Sequence, residues 1–377
     1  MPSERILQAR RERRVEERNQ IKQERKNKYD NLDILIDPNQ IIKAFFRSKQ
    51  GVAWKPSIQK YELNLFRNTL TIIKRVLEQD QTPLSFHNFS ISERGKLRHI
   101  QSVNIMERVE QHVLCDEILV PYLSTSLVYD NCASLKNKGT SFAIERLKVH
   151  LLQHYRKYGL EGYVLLIDFS KFFKSISHAV LKEQLDMLFE TPEIKTAIFR
   201  VIDSFPEGLG LGSQLSQILA IYNLNRIDHY IKEVLRVQGY GRYMDDSYLI
   251  FRTKEECYKA LLDLEPRYAE MGISINKKKT TVVPIASEFK FLKKKFKLTE
   301  TGKIIIHIDK STAKRTKKKL RKLRELYDAG EVKDEDIICS YRSCVGYMQD
   351  YATKRFLNML DNYFKNLFPE IRLETLP

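Results

Sequence analysis

Two adjacent aspartates interrupt an otherwise hydrophobic segment of the chain. Asp245 and Asp246 lie within the run Tyr243-Met-Asp-Asp-Ser-Tyr-Leu-Ile-Phe251, with apolar residues on both sides. Charged side chains are costly between hydrophobic strands unless something compensates them. The pattern therefore predicts strand, turn and strand over residues 240–252, with the two acids in the turn.

A third aspartate has a similar setting. Asp168 follows the apolar run Tyr163–Ile167, which has the length of a buried strand. Carboxylates at neighbouring strand ends suit divalent cations, and two Mg²⁺ about 4 Å apart clamp the attacking and leaving oxygens of a phosphoryl transfer. A structural alternative stays open, in which Asp168 caps a helix and Asp245-Asp246 form a polar hairpin turn.

The positive charge is concentrated in two segments. The chain of 377 residues has a formal net charge of +17. Residues 293–324 hold 14 basic and 2 acidic residues, and residues 1–30 hold 10 basic and 6 acidic residues. The rest is nearly neutral, so we expect a polyanionic ligand, with nucleic acid ahead of an anionic membrane.

Other features exclude whole classes of protein. No apolar run approaches the roughly 18 residues of a membrane span, and the N-terminus lacks the apolar core of a secretory signal. The five cysteines are scattered and form no CxxC pair. This argues against structural zinc and against a disulfide framework, and it fits a cytoplasmic protein.

Hydrophobic periodicity predicts a mixture of helices and strands. The predicted elements are a charged helix over residues 1–30, a helix over Tyr61–Gln79, a hairpin over 85–100, a helix around Glu107–Leu119, the strand Tyr163–Ile167, helices over 177–190 and 214–236, and, after residue 296, one strand and three helices. The charged N-terminal helix is equally consistent with a solvated tail and with an arm that contacts RNA.

Five motifs in order resemble those of reverse transcriptases. Tyr243–Asp246 is similar to their YMDD box, and Asp168–Ile176 is similar to their first catalytic motif. Gly210–Gln217 stands where the family has its middle motif, and Gly272–Thr280 and Phe289–Leu292 follow in the family's order. The resemblance makes the purely structural alternative for the aspartates a minor one.

The resemblance implies an α+β fold shaped like a right hand, and it covers roughly residues 85 to 350. It implies a basic helical arm over 1–35, fingers over 36–160, a palm over 161–295 whose antiparallel sheet packs on helices, and a helical thumb over 296–377. It implies RNA-directed DNA polymerase activity with two Mg²⁺, for which Mn²⁺ can substitute.

The same resemblance assigns roles to residues of the first and fourth motifs. Asp168 and Asp245 would bridge the two metal ions, with Asp246 in support, and the backbone carbonyl of Phe169 would be a further ligand. Phe173 would pack under the incoming sugar and exclude a 2′-hydroxyl, which favours deoxynucleotides. The alternative for Phe173 is an ordinary core aromatic.

Further roles carry over from the resemblance to other segments. Residues that would bind the nucleotide or line its pocket are Lys96, Arg98, Arg108, Phe173, Leu211, Gly212, Ser213, Ser216, Gln217 and Lys279. One lysine among residues 277–279 would protonate the pyrophosphate, although three lysines in a row obscure the register. A solvated basic turn is the alternative for Lys96 and Arg98.

The resemblance also implies a surface for the template–primer duplex. Phe289, Phe291 and Leu292 would form the primer grip. Side chains expected along the nucleic-acid backbone, without reading its sequence, are Lys314, Arg315, Lys317, Lys318, Lys319 and Arg321. The family's primer-grip glycine is replaced here by the run Lys293–Lys295, which puts the fine geometry of the grip in doubt.

The middle motif departs from the commonest pattern of the family. Leu211-Gly212 and Ser216-Gln217 replace Gln-Gly and Ser-Pro, as in bacterial reverse transcriptases of diversity-generating retroelements and of phage defence. We expect Leu211 to loosen nucleotide selection. The charged arm favours a role in defence over diversity generation.

The expected partners are template RNA, a DNA primer and product, dNTPs, a dedicated non-coding RNA, and an accessory protein or a second copy of the chain. No membrane partner is expected. About 80 residues follow the palm, which leaves no room for an RNase H domain. Two other functions stay open, a non-catalytic RNA-binding scaffold of maturase type and an RNA-templated RNA polymerase, which Phe173 opposes.

Overall fold

The computed structural model describes residues 4–93 and 96–373. The N-terminal helices are α1 (Glu4–Tyr29), α2 (Leu32–Ile36), α3 (Pro38–Ser48), α4 (Pro56–Leu63) and α5 (Leu65–Leu77). The predicted charged helix is thus present as α1. The single helix predicted over 61–79 is instead two helices, because Asn64 leaves helical geometry between α4 and α5.

Among the described side chains, those that join helix α1 to the body of the protein lie near its C-terminal end. Most of its side chains are exposed, so packing contributes little and the helix depends on propensity and on i,i+4 pairs. At its end, Lys26 pairs with Glu190, and the Asp30 carboxylate accepts a hydrogen bond of 2.6 Å from the Glu190 amide. Leu35, within the predicted 1–35 arm, is fully buried in the main core, so the exposed arm is shorter than predicted.

A two-stranded hairpin follows, made of β1 (Phe86–Glu93) and β2 (Lys96–Val103). The strands pair in antiparallel register from Phe86↔Val103 to Glu93↔Lys96, which confirms the predicted hairpin. After it come α6 (Ile105–Val113), a π-helical segment at Leu114–Leu119 and α7 (Val120–Ser124).

The central sheet has four antiparallel strands. They are β3 (Tyr163–Ile167), β4 (Tyr240–Tyr243), β5 (Asp246–Phe251) and β6 (Thr281–Pro284), in the spatial order β4-β5-β3-β6. The strand predicted at Tyr163–Ile167 is confirmed to the residue. The surrounding helices are α8 (Thr140–Tyr158), α9 (Phe172–Ser175), α10 (His178–Asp186), α11 (Pro192–Asp203), α12 (Gln214–Asn223), α13 (Asn225–His229) and α14 (Lys254–Glu270).

The single helix predicted over 214–236 is interrupted. It is divided into α12, α13 and a π-helical segment at Tyr230–Val234. The break after Asn223 allows α13 to turn its own buried residues, among them Asp228, toward the central sheet.

The C-terminal part contains a three-stranded sheet and three helices. The strands are β7 (Phe289–Phe291), β8 (Lys294–Leu298) and β9 (Ile304–Ile308), and the helices are α15 (Lys310–Asp328), α16 (Asp334–Met348) and α17 (Lys354–Leu367). The sequence predicted one strand after residue 296, whereas the structure has β8 across that point and β9 beyond it. The predicted boundary between palm and thumb at 295/296 therefore falls inside β8.

The described residues form three hydrophobic clusters, which stabilise the packing of these helices and sheets. The first runs from the N-terminal helices to the central sheet, the second lies between α8 and β7–β9, and the third lies among α15–α17. Leu320, Tyr341 and Leu360 are buried in the third cluster, as their helical spacing predicts. The antiparallel sheets and the many helices are compatible with the predicted α+β class. Within the described residues, no helix is both long enough and apolar enough to cross a membrane.

Candidate active site

The three predicted catalytic aspartates lie at one end of the central sheet. Strands β3 and β5 pair with Ile167 opposite Ser247. Asp168 comes one residue after Ile167, and Asp246 comes one residue before Ser247, so continuing the register places the two aspartates opposite each other. Cross-strand neighbours in an antiparallel pair are within side-chain contact distance.

The turn between β4 and β5 presents the remaining acid. Tyr243 pairs with Asp246, so Met244 and Asp245 form a two-residue loop. Met244 has a φ of +54°, as at the first central position of a type II′ turn, where glycine is usual. A non-glycine residue in this region costs about 1–3 kcal/mol and persists only where the surrounding structure holds it.

The acids interact electrostatically with one another. Burial raises the pKa of Asp246 to about 6, and the charges of Asp245 and Asp168 add to the shift. Burial also raises the pKa of Asp245, with Asp168 contributing, whereas Lys279 and Arg98 oppose the rise. Carboxylates that destabilise one another in this way are stabilised by a bound cation.

Lys279 and Asn276 bind the third aspartate directly. The Lys279 ammonium lies 2.9 and 3.0 Å from the two carboxylate oxygens of Asp168. The Asn276 side chain donates a hydrogen bond of 3.2 Å to Asp168. Lys277 instead pairs with Glu265 at 2.7 Å. Among the three consecutive lysines, the structure therefore brings Lys279 to the aspartates.

The backbone at Phe169 is consistent with its predicted role as a metal ligand. Phe169 forms an isolated antiparallel bridge with Ile275, and the two hydrogen bonds of this bridge come from the flanking residues. They are Asn276 N–H to the Asp168 carbonyl at 2.8 Å and Ser170 N–H to the Ser274 carbonyl at 2.9 Å. This pattern turns the Phe169 carbonyl away from the 274–276 segment.

The available donors fit Mg²⁺ better than a metal that needs a closed protein cage. Within residues 4–93 and 96–373, no group of three or more His, Cys, Asp or Glu side chains is placed to hold a metal ion by itself. Mg²⁺ is usually held by one or two carboxylates together with water and substrate phosphates. The three aspartates offer only carboxylate oxygens, which are hard ligands, and they lie at an open end of the sheet. This arrangement suits that mode of binding.

Residues predicted to line the nucleotide pocket lie where the β1–β2 hairpin meets the middle motif. The Gln101 N–H donates a hydrogen bond of 3.0 Å to the carbonyl of Leu211. Gly212 has a φ of +114°, and a Cβ at this position would lie 3.0 Å from Ile100 and 3.1 Å from the Gln101 carbonyl. Glycine suits this position because L side chains rarely adopt this φ and the two segments approach closely.

Two serines predicted to line this pocket are buried. Ser213 caps α12 and donates a hydrogen bond of 2.8 Å to Gln111. Ser216 is fully buried. Both side chains are turned into the protein in this structure, and their role in lining the pocket stays a prediction. Gln217 remains exposed and accepts a hydrogen bond of 3.2 Å from Ser134.

The basic residues predicted to bind the triphosphate have different settings. Arg98 is exposed on β2, and its charge lowers the pKa of Asp245 against the larger effect of burial. Arg108 is half-buried and donates a hydrogen bond of 2.9 Å to Ser102. Lys96 begins β2, and its side chain lies outside the described residues. Of the two described side chains, Arg98 is the one whose charge acts on an aspartate.

Phe173 lies at the margin of the core rather than within it. Its neighbour Phe172 is 4% exposed, whereas Phe173 is half-buried. The ring of Phe173 makes an edge contact with Phe172 at 5.5 Å, and its carbonyl accepts a hydrogen bond of 2.7 Å from Leu209. The core-aromatic alternative describes Phe172 better than Phe173, whose role as a sugar gate stays a prediction.

The predicted primer grip is a tight hairpin on the second hydrophobic cluster. Phe289 and Phe291 are buried, and Phe291 packs edge-on against Tyr248 at 5.1 Å. Leu292 and Lys293 form the turn with φ of 46° and 66°, as in a type I′ turn. The two phenylalanines therefore anchor the hairpin, and the turn is the part that can face a ligand.

The lysine-rich helix α15 turns most of its charge to solvent. Lys314, Arg315, Lys318, Lys319 and Arg321 are exposed. Lys317 is half-buried, and its ammonium lies 4.8 Å from the ring centre of Tyr363. The predicted backbone contacts are thus all accessible except Lys317, which is partly engaged within the protein.

One buried ion pair beside the β4–β5 turn was not predicted from the sequence. Arg242 in β4 is fully buried and pairs with Asp228 of α13 at 2.6 Å. The signal available in the sequence is a single arginine in an otherwise uncharged strand, two residues before the turn. Its partner is 14 residues away, and no periodicity points to it.

The chain also matches a known protein family. The family model described as reverse transcriptase (RNA-dependent DNA polymerase) matches residues 90–295, which is more than half of the chain. The matched range contains the three aspartates, the middle motif, Lys279 and the β7–β8 turn. No curated protein sequence matches this chain.

Proposed function

Because the chain belongs to the reverse transcriptase family, whose members carry out RNA-templated DNA synthesis on a right-hand polymerase fold, we propose that Asp168, Asp245 and Asp246 form its catalytic centre. The proposal rests chiefly on one observation. Acids that are 77 residues apart in the sequence meet at one sheet end, where the charge of Asp168 adds to the burial that raises the pKa values of Asp245 and Asp246.

Different residues of this chain would have different roles in nucleotidyl transfer. Two bound Mg²⁺ would activate the primer 3′-hydroxyl and stabilise the charge that develops on the phosphates. Asp168, Asp245 and the Phe169 carbonyl hold the ions in this proposal, with Asp246 in support. Lys279 carries a proton near Asp168, and Arg98 supplies a positive charge for the triphosphate. Phe173 limits the space beside the sugar.

A primer-extension assay tests the catalytic assignment. The reaction contains an RNA template, a DNA primer, dNTPs and Mg²⁺. Asp245→Asn keeps the size of the side chain but removes a charge, and it should lower the rate by at least about 10³-fold. Asp186→Asn is the matched control, because Asp186 is an exposed acid that pairs with Lys195. Unchanged synthesis by Asp245→Asn would refute the assignment.

The same assay separates two other functions. A non-catalytic scaffold of maturase type would bind RNA without extending the primer. An RNA-templated RNA polymerase would incorporate ribonucleotides at least as well as deoxynucleotides. We favour DNA synthesis because the family description names it, and because a scaffold has no need for three acids that destabilise one another.

We further propose the division into arm, fingers, palm and thumb. The predicted ranges are 1–35, 36–160, 161–295 and 296–377, except that the exposed arm ends before the buried Leu35 and the start of the thumb lies outside β8. Exposure of α1 supports a separate arm, and the third hydrophobic cluster among α15–α17 supports a thumb with its own core. The basic surface of α15 suits the sugar–phosphate backbone of a template–primer duplex.

The biological role that we propose is synthesis on a dedicated non-coding RNA in a bacterial anti-phage system. The exposed charged helix α1 supports this role, since such an arm is suited to holding a structured RNA. Error-prone copying in a diversity-generating retroelement is the alternative, and Leu211 favours it. Sequencing of RNA crosslinked to the protein in cells decides between them. One abundant structured RNA supports defence, whereas a transcript that contains a template repeat supports diversification.

A further inference from the structure

Arg242 is held by the Asp228 carboxylate at the base of the proposed catalytic turn. Its Nε donates a hydrogen bond of 2.9 Å to one carboxylate oxygen of Asp228, and Nη2 donates one of 2.6 Å to the other. The hydroxyl of Tyr240 donates a hydrogen bond of 2.5 Å to the same carboxylate. The arginine and the aspartate are both essentially excluded from solvent, so the guanidinium has one fixed orientation.

The guanidinium also donates hydrogen bonds to two backbone carbonyls. Nη1 donates a hydrogen bond of 3.2 Å to the carbonyl of Met244, the residue whose φ is +54°. Nη2 also donates one of 2.8 Å to the carbonyl of Ile221 in α12. Arg242 thus joins the catalytic turn to the helix that carries Gln217 of the middle motif.

The backbone of Arg242 is fixed from a neighbouring loop as well. Its N–H donates a hydrogen bond of 3.1 Å to the Asp130 carbonyl, and its carbonyl accepts one of 2.8 Å from the Cys132 N–H. The side chain and the main chain of the same residue are therefore both immobilised, only two residues before the turn that presents Asp245.

A buried ion pair is a poor source of stability. Desolvation of two charges offsets most of their attraction, and well-packed hydrophobic residues often serve as well. The pair does provide a rigid, planar set of donors, which a lysine cannot reproduce. Here those donors reach the one residue of the turn that has an unfavourable backbone conformation.

We propose that Arg242, oriented by Asp228 and Tyr240, is a positioning residue that fixes the conformation of Met244 and thereby sets where Asp245 and Asp246 point relative to Asp168. This inference rests on the proposed function. It assigns a role in catalysis to groups that touch neither the substrate nor the metal ions.

The test compares Arg242→Lys with Arg200→Lys. Arg200 is the matched control because it is also a buried arginine, which pairs with Glu110 at 3.0 Å and lies on α11, away from the turn. Three quantities are measured for each variant. They are kcat and KM for dTTP on poly(rA) with an oligo(dT) primer, the Tm, and the NMR resonance of the Met244 methyl group in protein labelled with ¹³C-methyl methionine. Met244→Leu assigns this resonance among the seven methionines.

The expected result is specific to the turn. Arg242→Lys should lower kcat by about 10²-fold, the usual effect of misplacing reacting groups by about 1 Å, while the KM for dTTP stays nearly constant. It should also shift or broaden the Met244 resonance. Arg200→Lys should lower the Tm but leave kcat and the Met244 resonance as in the wild type.

Other outcomes would overturn the inference. The first is a wild-type kcat in Arg242→Lys. The second is a loss of kcat in proportion to the loss of Tm in both arginine variants, with the Met244 resonance unchanged. If Arg242→Lys does not fold, Tyr240→Phe decides, since it removes a single hydrogen bond from Asp228. It should give a smaller loss of kcat with the same NMR change, and a wild-type kcat and spectrum would refute the inference.

The experiment also separates this inference from the proposed function. A wild-type protein that extends no primer would refute the proposed function. The Met244 resonance of the metal-free protein would still report whether Arg242 fixes the turn, because it needs neither metal nor substrate.

Discussion

The ammonium group of Lys279 lies within 3.0 Å of both carboxylate oxygens of Asp168. The hydrogen bond with Asp168 raises the pKa of Lys279, and the charges of Asp245 and Asp246 add to the effect. The lysine is thus kept protonated at the place where the three acids meet. A protonated side chain in this position can compensate the acids before substrate binds and can donate a proton to a leaving group afterwards.

Replacement of Lys279 should therefore impair catalysis. Lys279→Gln removes the proton donor, and we expect kcat for dNTP incorporation to fall by about 10²-fold or more. Lys277→Gln is the matched control, since Lys277 pairs with Glu265, and exposed ion pairs contribute little. Steady-state primer extension measures both. Equal losses in the two variants would show that Lys279 has no special role.

Phe173 should govern the choice of sugar. Phe173→Ala opens the half-buried position at the margin of the core, and we expect discrimination against ribonucleotides to fall by about 10- to 100-fold. Phe173→Tyr keeps the ring and should keep the discrimination. The ratio of kcat/KM for dTTP and UTP on poly(rA) measures the effect. Strict exclusion of UTP by the alanine variant would remove Phe173 as the gate.

Leu211 should affect fidelity. Its carbonyl holds the Gln101 N–H, so a change of side chain leaves this backbone contact in place. Leu211→Gln should lower misincorporation opposite template adenine by about 10-fold, because a polar side chain can hold the nucleotide in one geometry. Single-nucleotide misinsertion rates measure it, with Leu211→Met as the apolar control. Identical error rates for wild type and Leu211→Gln would contradict the prediction.

The exposed charges of α15 should bind the nucleic-acid backbone. Neutralising Lys318, Lys319 and Arg321 together should reduce the slope of log K against log salt concentration by about 2 to 3, since each phosphate contact contributes about 0.7–0.9. Lys354→Gln with Lys365→Gln, two exposed lysines of α17, is the control and should leave the slope unchanged. Fluorescence anisotropy with an RNA–DNA duplex measures it. A triple variant with the wild-type slope would place the duplex elsewhere.

His150 should make stability depend on pH. Burial lowers the pKa of His150 to about 4, and the cations Lys232 and Arg146 add to the shift against the opposing Asp130. The unfolded chain, with an ordinary histidine pKa, binds a proton that the folded protein excludes. Stability from this group is thus full above about pH 6.5 and is lost as the pH falls toward 4.

The size of this effect can be measured by urea denaturation. Between pH 7 and pH 5, the wild type should lose about 2 kcal/mol of stability through this group. His150→Gln should lack that part of the loss, since glutamine does not titrate. The glutamine can still form a hydrogen bond with the Tyr248 hydroxyl, which lies 2.9 Å from the His150 ring. His99→Gln, at an exposed position of β2, is the matched control. Equal pH dependence in wild type and His150→Gln would contradict the assignment.

Local sequence patterns were sufficient where one segment carries the information. The strand Tyr163–Ile167 and the strand, turn and strand around Asp245 were predicted because hydrophobic runs of strand length end at charged residues. Asp246 was predicted in the turn, whereas it begins β5. The stripes of α15–α17 were predicted because helical spacing alone decides which residues face one another. The order of the motifs identified the family, which the match over residues 90–295 confirms.

Helix breaks and strand pairing were less predictable. The extra strand β9 depends on tertiary contacts, since it gains its hydrogen bonds from β8 and its burial from the second cluster. The burial of Ser213 and Ser216 depends on how α12 packs. The sequence around a serine does not show whether its hydroxyl caps a helix or faces a pocket.

The sequence by itself determined that three aspartates belong to one centre and that a basic surface accompanies it, because residue type and motif order carry that information. Only the tertiary structure decided which of three consecutive lysines reaches Asp168, which of two adjacent phenylalanines lies at the core margin, and which partner neutralises Arg242. These choices depend on the direction of each side chain and on contacts between distant segments. Two neighbouring residues of the same type point their side chains in different directions, although the sequence pattern around them is nearly the same.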